Sequence, residues 1–201
     1  MRTPLTKLQL RLARVEPETL RDQLAEPAKG LNAILTQGLE FARSLRTEEP
    51  MTKVDLPSFL QSLADDYADL GRAVTFECDS ALEANPQTGI LPARPLCLKR
   101  CMENLLTNAC AYAGSAEIRL TAEKEALVVT VSDRGLGIPE ELLEKVFEPY
   151  FRVEGSRNRA SGGTGLGLAI ARNMAQSNGA ALSLANRPGG GLVVTLRFRR
   201  P

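Results

Sequence analysis

Apolar residues at Leu5, Leu8, Leu12 and Val15 recur with the spacing of one helix face, and Glu16-Pro17 interrupts the run. A second stripe passes through Leu24, Leu31, Leu35, Leu39, Ala42 and Leu45, with Ile34 on its flank. Pro27 and Gly30 weaken the start of that helix, and Pro27 is a candidate kink. Two such helices form a hairpin with too little core to stand alone, so a second hairpin completing a four-helix bundle is the economical partner. The polar stretch 46–53, which contains Pro50, reads as a linker. Beyond it, Asp55-Leu-Pro carries the chemistry of a helix start, and Leu56, Leu60, Leu63 and Tyr67 keep helical spacing. Val74 and Phe76 alternate as a short strand, and residues 79–94 look loop-rich. Leu96 to Tyr112 reads as a strong helix, Ile118 and Leu120 as a strand, and Leu127 to Val131 as a central strand. A glycine-rich turn at 133–139, a short helix at 140–147 and a Gly/Arg-rich loop at 152–165 follow. Leu166 to Ser177 is a helix capped by Asn178-Gly179, and the strands Leu182–Ala185 and Leu192–Phe198 end the chain. The pattern predicts an α+β fold: an N-terminal helical hairpin, then helices sharing one face of a mixed sheet.

Composition narrows the chemistry. The 201 residues carry 25 Lys+Arg against 24 Asp+Glu, a net charge of +1, which gives no electrostatic footprint for nucleic acid. No apolar run approaches the ~20 residues that a membrane span requires. The sequence has no histidine, which removes Ser-His-Asp triads, His-based zinc catalysis and a histidine base. Cys78, Cys97, Cys101 and Cys110 fit no zinc spacing and read as buried reduced thiols, suiting a reducing compartment. With six Phe, three Tyr and no Trp, the core must be mostly aliphatic.

Three constellations suggest a ligand. Asn104, Asn108 and Tyr112 lie at i, i+4 and i+8, a polar face on an otherwise apolar helix. Carboxamide oxygens are hard neutral donors suited to Mg²⁺, whose shell is completed by water and phosphate oxygens; from these residues alone, solvated asparagines read equally well. Asp133-Arg-Gly135-Leu-Gly137 places a carboxylate at a strand end before two glycines that permit close backbone approach. Such an Asp can accept from the exocyclic amine of adenine, although alone an ordinary Asp-x-Gly turn explains it better. Gly162-Gly163-Thr164-Gly165-Leu-Gly167 opens a helix, where gathered N–H groups and the helix dipole suit phosphates. No GK[ST] follows and no strand directly precedes, so it is neither a P-loop nor a dinucleotide fingerprint. Arg152, Arg157 and Arg159 lie just upstream, either as phosphate contacts or as solvated loop charge.

In this order and spacing, the motifs resemble the ATP-binding domain of sensor histidine kinases, part of the gyrase/heat-shock/kinase/MutL ATPase superfamily. The N box corresponds to Asn104 and Asn108, the first glycine box to Asp133, Gly135 and Gly137, the F box to Phe147–Phe151, and the second glycine box to Gly163, Gly165 and Gly167. The resemblance covers about residues 55–200. It implies an α+β architecture in which a hairpin, half of a dimeric four-helix bundle, precedes a two-layer α/β sandwich. The hairpin would occupy residues 1–48 and the ATP-binding domain 54–201. It implies ATP and Mg²⁺ as cofactors, Asn108 as the metal ligand and Asp133 as the adenine reader. Tyr112, Ile138, Tyr150, Thr164, Leu166 and Leu168 would line the nucleotide site, and residues 152–163 would form a mobile lid. Asn104 and Arg152 would act in catalysis. The family often has Lys or Arg before the aromatic, where this chain has Ala111, so the phosphate contact falls to Arg152.

Met1-Arg-Thr-Pro-Leu-Thr6 resembles the sequence that follows the family's phosphoacceptor histidine, so the chain reads as cut just beyond that residue. The resemblance thus implies a kinase that transfers the γ-phosphoryl to a histidine supplied elsewhere, for relay to a response regulator receiver domain. It implies a homodimer and the cytoplasmic part of a bacterial inner-membrane sensor. The alternatives are an ATP hydrolase of the same superfamily and a non-catalytic nucleotide-binding dimerisation module. Hydrolases of the superfamily carry Glu four residues before the metal-binding Asn. Here that residue is Asn104, which cannot accept a proton at neutral pH, and Glu103 points about 100° away.

Overall fold

The structure, a computed structural model, describes residues 18–45, 48–153 and 164–200, with side chains described from residue 30 onward. The expected first helix, Leu5 to Val15, lies outside the described residues. Helix α1 (Glu18–Ser44) runs through both Pro27 and Gly30, so its start is earlier than the apolar stripe implies. Phe41 packs against the core, whereas Leu31, Ile34, Leu35 and Leu39 are exposed.

Strand β1 (Thr52–Asp55) leads into α2 (Leu56–Asp69), β2 (Ala73–Cys78), a short α3 (Ser80–Ala84) and β3 (Ile90–Ala93). Helix α4 (Pro95–Ala113), strands β4 (Ser115–Ala122) and β5 (Ala126–Ser132), α5 (Gly167–Ser177), β6 (Ala180–Asn186) and β7 (Leu192–Arg199) complete the described part. The region 140–147 forms two short 3₁₀ turns rather than a helix. Residues 79–94, expected to be loop, contain α3 and β3, and β3 pairs antiparallel with β1. Two residues assigned to the linker, Thr52 and Lys53, therefore belong to a strand. Both strands have four residues and β3 contains Pro92, so neither shows a readable alternation.

The main sheet has the order β2-β4-β5-β7-β6, with β2 parallel to β4 and the other pairs antiparallel. As expected for Leu127–Val131, β5 is central. Its inward residues form continuous cross-strand rows. Leu120, Val129, Leu196 and Leu182 make one row, and Ile118, Val131, Val194 and Leu184 the next. Helices α2, α4 and α5 bury Leu60, Leu63, Met102, Leu105, Leu106, Ile170 and Met174 against these rows. The opposite face carries ion pairs such as Glu77–Arg119 at 2.6 Å. A two-layer α/β sandwich follows directly, because only one face of the sheet is uniformly apolar.

The cap signals hold. Asp55 accepts from the Ser58 N–H at 3.2 Å and its hydroxyl at 2.9 Å at the start of α2. Gly114, in the left-handed region at φ 75°, ends α4 just before β4. The four cysteines are free; Cys97 and Cys101 are buried, Cys78 and Cys110 only partly. Burial pushes the Cys101 thiol far above its ordinary range, so it behaves as a small apolar group.

Candidate functional site

Three loops and helix ends meet at one edge of the α layer. Helix α4 supplies the polar face. The Asn104 amide donates from Nδ2 to the Arg100 carbonyl at 2.8 Å. Its Oδ1 faces Gly167, where a Cβ would sit 3.4 Å away, so the first turn of α5 lies against the Asn face. Asn108, one turn further on, is half-buried, and its side chain makes no hydrogen bond among the described residues. Tyr112 in the last turn is 49% exposed, and its carbonyl lies against Gly135. Upstream on the same helix, the Tyr67 hydroxyl from α2 meets the Thr107 side chain at 3.2 Å, and burial raises its pKa.

Asp133, only 8% exposed, begins the loop after β5. Its Oδ1 accepts from the Gly135 N–H at 2.8 Å and the Leu192 N–H at 3.3 Å. Among the described residues, Oδ2 accepts no hydrogen bond. Two amides thus fix the carboxylate while one oxygen stays available. A Cβ on Gly135 would lie 3.1 Å from Oδ1, a tight contact that would push the carboxylate by a few tenths of an ångström. Gly137 sits at φ 75° with Asn186 packed against it. Leu136, between the two glycines, is 98% exposed.

The F box and the second glycine box are joined by their backbones. The Tyr150 N–H donates to the Gly165 carbonyl at 3.0 Å. Gly165, at φ 75°, approaches so closely that a Cβ would be 2.8 Å from the Phe151 carbonyl. Tyr150 is the one non-glycine residue with positive φ among those described, at 66°, and is held there by this contact. The buried Phe147 ring lies under the Arg172 guanidinium of α5, 4.8 Å from the centroid. Leu166 is fully buried and Leu168 packs on the core, so these two lining candidates anchor the turn from below. Arg152 is exposed. Gly163, Arg157 and Arg159 lie outside the described residues. The structure therefore sets the Gly165–Gly167 turn against the Asn104 end of the polar face of α4 and the Asp133 loop against its Tyr112 end.

Several participants escape a reading by motif. The Thr164 hydroxyl bonds to the Gln37 side chain of α1, and Asn173 of α5 donates to Ser44 at 3.1 Å. Glu49 caps α4 by accepting from the Leu96 and Cys97 N–H groups at 2.8 and 2.9 Å. Arg94 donates from Nε to the Glu49 carbonyl at 2.7 Å and from Nη1 to the Ser177 carbonyl, tying the linker to both helices. Asn186 and Gly191 support the Asp133 loop from the β6–β7 turn. The only sequence signal for these last two is the glycine run 189–191, whose three residues all have positive φ.

A two-layer sandwich with an Asn-faced helix, an Asp-Gly loop and a Gly turn meeting at one edge defines a nucleotide-binding ATPase fold. A sequence profile described as histidine kinase-, DNA gyrase B-, and HSP90-like ATPase matches residues 93–201, and the chain belongs to that family. Within it, the chain is similar to sensor histidine kinases. It is 38% identical over 200 residues to GtrS of Pseudomonas aeruginosa, an alignment covering 100% of this chain and 40% of GtrS. It is 29% identical over 202 residues to CpxA of Escherichia coli K12, covering 96% and 43%. The chain thus spans about two-fifths of the length of these relatives. Full-length ShkA in complex with AMPPNP has the same fold, at a TM-score of 0.73 and 21% identity over 98% of this chain and 43% of that one. The Acinetobacter baumannii histidine kinase AdeS matches at 0.65 and 18% over 98% and 95%. No helix among the described residues is long and apolar enough to cross a membrane.

Proposed function

We propose that this chain is the catalytic core of a sensor histidine kinase, with a hairpin in residues 1–48 and the ATP-binding domain in 54–201. In this reading it binds Mg-ATP and moves the γ-phosphoryl to an acceptor histidine. The bond from the γ-phosphorus to the β–γ bridging oxygen breaks, a phosphorus–nitrogen bond forms on the imidazole, and ADP leaves. The phosphoryl group then passes to an aspartate of a response regulator receiver domain. The observation that carries the reading is Asp133: Oδ1 is pinned by two backbone amides and Oδ2 is left to accept the adenine amine.

The donor set suits the expected metal. The unengaged carboxamide of Asn108 would hold Mg²⁺, with phosphate and water oxygens completing its shell. When bound, the ion supplies charge neutralisation between the phosphates. The chain's own residues do the positioning: the Gly165–Gly167 amides and the start of α5 face the phosphates, and Arg152 adds positive charge. Asn104 supports transfer over hydrolysis, because its amide cannot accept a proton from water. The exposed Leu31, Ile34, Leu35 and Leu39 of α1 support a homodimer through the hairpin.

Label transfer from γ-labelled ATP onto a separately made acceptor hairpin tests the activity, and release of phosphate without transfer would favour the hydrolase. Calorimetry tests the site. Asp133→Asn, which turns an acceptor into a mixed donor and acceptor, is expected to weaken ADP binding at least tenfold. Unchanged ADP affinity would remove Asp133 from the site.

A further inference from the structure

The loop that carries Asp133 has one internal bond among the described residues, from the Gly135 N–H to Asp133 Oδ1, and is otherwise held from outside. Asn186, the last residue of β6, grips it from the other side of the sheet edge. The Ile138 N–H donates to Asn186 Oδ1 at 2.9 Å, and Asn186 Nδ2 donates to the Ile138 carbonyl at 2.7 Å. One carboxamide therefore satisfies both polar groups of a single peptide residue, as a neighbouring strand would. A Cβ on Gly137 would lie 2.7 Å from Asn186 Oδ1, so the clamp needs the glycine beside it. The other end of the loop is held by the same turn. The Asp133 N–H donates to the Leu192 carbonyl at 2.9 Å, and the Leu192 N–H returns to Asp133 Oδ1 at 3.3 Å. Glu117 of β4 ties the turn to the loop, meeting Arg134 at 2.9 Å and Arg187 at 3.4 Å.

We propose that Asn186 is a positioning residue for base selection: by clamping Ile138 it sets the span of the 133–138 loop and so the aim of the free Asp133 oxygen. It touches no nucleotide in this scheme and acts through Asp133. The inference rests on the reading of Asp133 as the adenine reader. Guanine, with a carbonyl where adenine has its amine, is the natural probe, since a carboxylate accepts from one and repels the other.

The experiment compares the chain with Asn186→Ala, Asn186→Asp, Asp133→Asn and the double variant Asn186→Ala/Asp133→Asn. Amide hydrogen exchange without nucleotide is the first readout. Calorimetric affinities for ADP and GDP with Mg²⁺ are the second. Asn186→Ala is expected to speed exchange at Ile138 and to lower the ADP-over-GDP preference about tenfold. Asn186→Asp keeps the acceptor for Ile138 N–H and loses the donor, so it should fall between, and it serves if the alanine variant fails to fold. In the Asp133→Asn background, Asn186→Ala should lower the preference no further, because the group it aims is gone. Unchanged exchange at Ile138, an unchanged ADP:GDP ratio, or an equal drop in both backgrounds overturns the proposal. A parent chain that binds neither nucleotide overturns the ATP-site reading and the selection role with it. A parent that prefers ADP alongside an unaffected Asn186→Ala overturns the Asn186 role alone.

Discussion

Gly191→Ala tests the packing of the Asp133 loop most directly. A Cβ built on Gly191 lies 2.0 Å from the Asp133 carbonyl oxygen, 2.8 Å from its carbon and 2.9 Å from Arg134 Cα. All three are backbone atoms, so no rotamer can relieve the overlap, and the two segments must part by more than an ångström. The residue also sits at φ 99°, where an L side chain costs about 1–2 kcal/mol. Separation would break the reciprocal bonds between Asp133 and Leu192, at about 1 kcal/mol each. The combined expectation is a loss of about 3–4 kcal/mol, or a melting temperature lower by roughly 6–16 °C in a chain of this size. Gly189→Ala is the matched control. It has φ 87° but nothing within 4 Å of the new Cβ, so only the conformational cost of about 1–2 kcal/mol applies. Urea unfolding followed by circular dichroism, with ADP calorimetry on the folded fraction, gives both numbers. Equal destabilisation by the two variants would refute the close-approach argument, as would a Gly191→Ala chain with unaltered ADP affinity.

Three further expectations concern separate parts of the site. Asn108→Ala should leave metal-free ADP binding nearly unchanged and abolish its enhancement by Mg²⁺; titrations with and without the ion check this, and a persistent enhancement would exclude Asn108 as the ligand. Glu49→Ala removes both acceptors at the start of α4 and should cost about 1–2 kcal/mol, with Glu49→Gln losing less, measured by thermal melting. The hydrogen bond from Arg134, with Arg187 nearby, holds the Glu117 carboxyl below its ordinary pKa, so its stabilising effect is present above about pH 4.5 and lost as pH falls through the lower folded value. Stability should therefore decline more steeply on acidification in the parent chain than in Glu117→Gln, and parallel curves would contradict the assignment.

The parts of the molecule with long, regular periodicity were legible in the chain. Helix α4, central β5, and the two glycine turns announce themselves through local spacing, and each motif residue lies within a few positions of its neighbours. What stayed hidden depends on distance in sequence. Asn186 meets Ile138 across 48 positions and Glu49 meets Cys97 across 48, so no window contains both partners. The two-stranded β1–β3 pair hides for another reason, because four-residue strands leave alternation too little length to register. Helix α1 continues through Pro27, and it is held further along by long-range contacts that no local window contains, Ser44 with Asn173 of α5 and Gln37 with Thr164.

The bond from Tyr150 to Gly165 has a consequence for how such a chain can diverge. It fixes the two ends of the intervening segment 3.0 Å apart, whatever lies between them. By loop-closure entropy alone, doubling the length of chain between them adds only about 0.6 kcal/mol. Chain length between the two bonded residues can therefore change while Tyr150 and Gly165 keep their register.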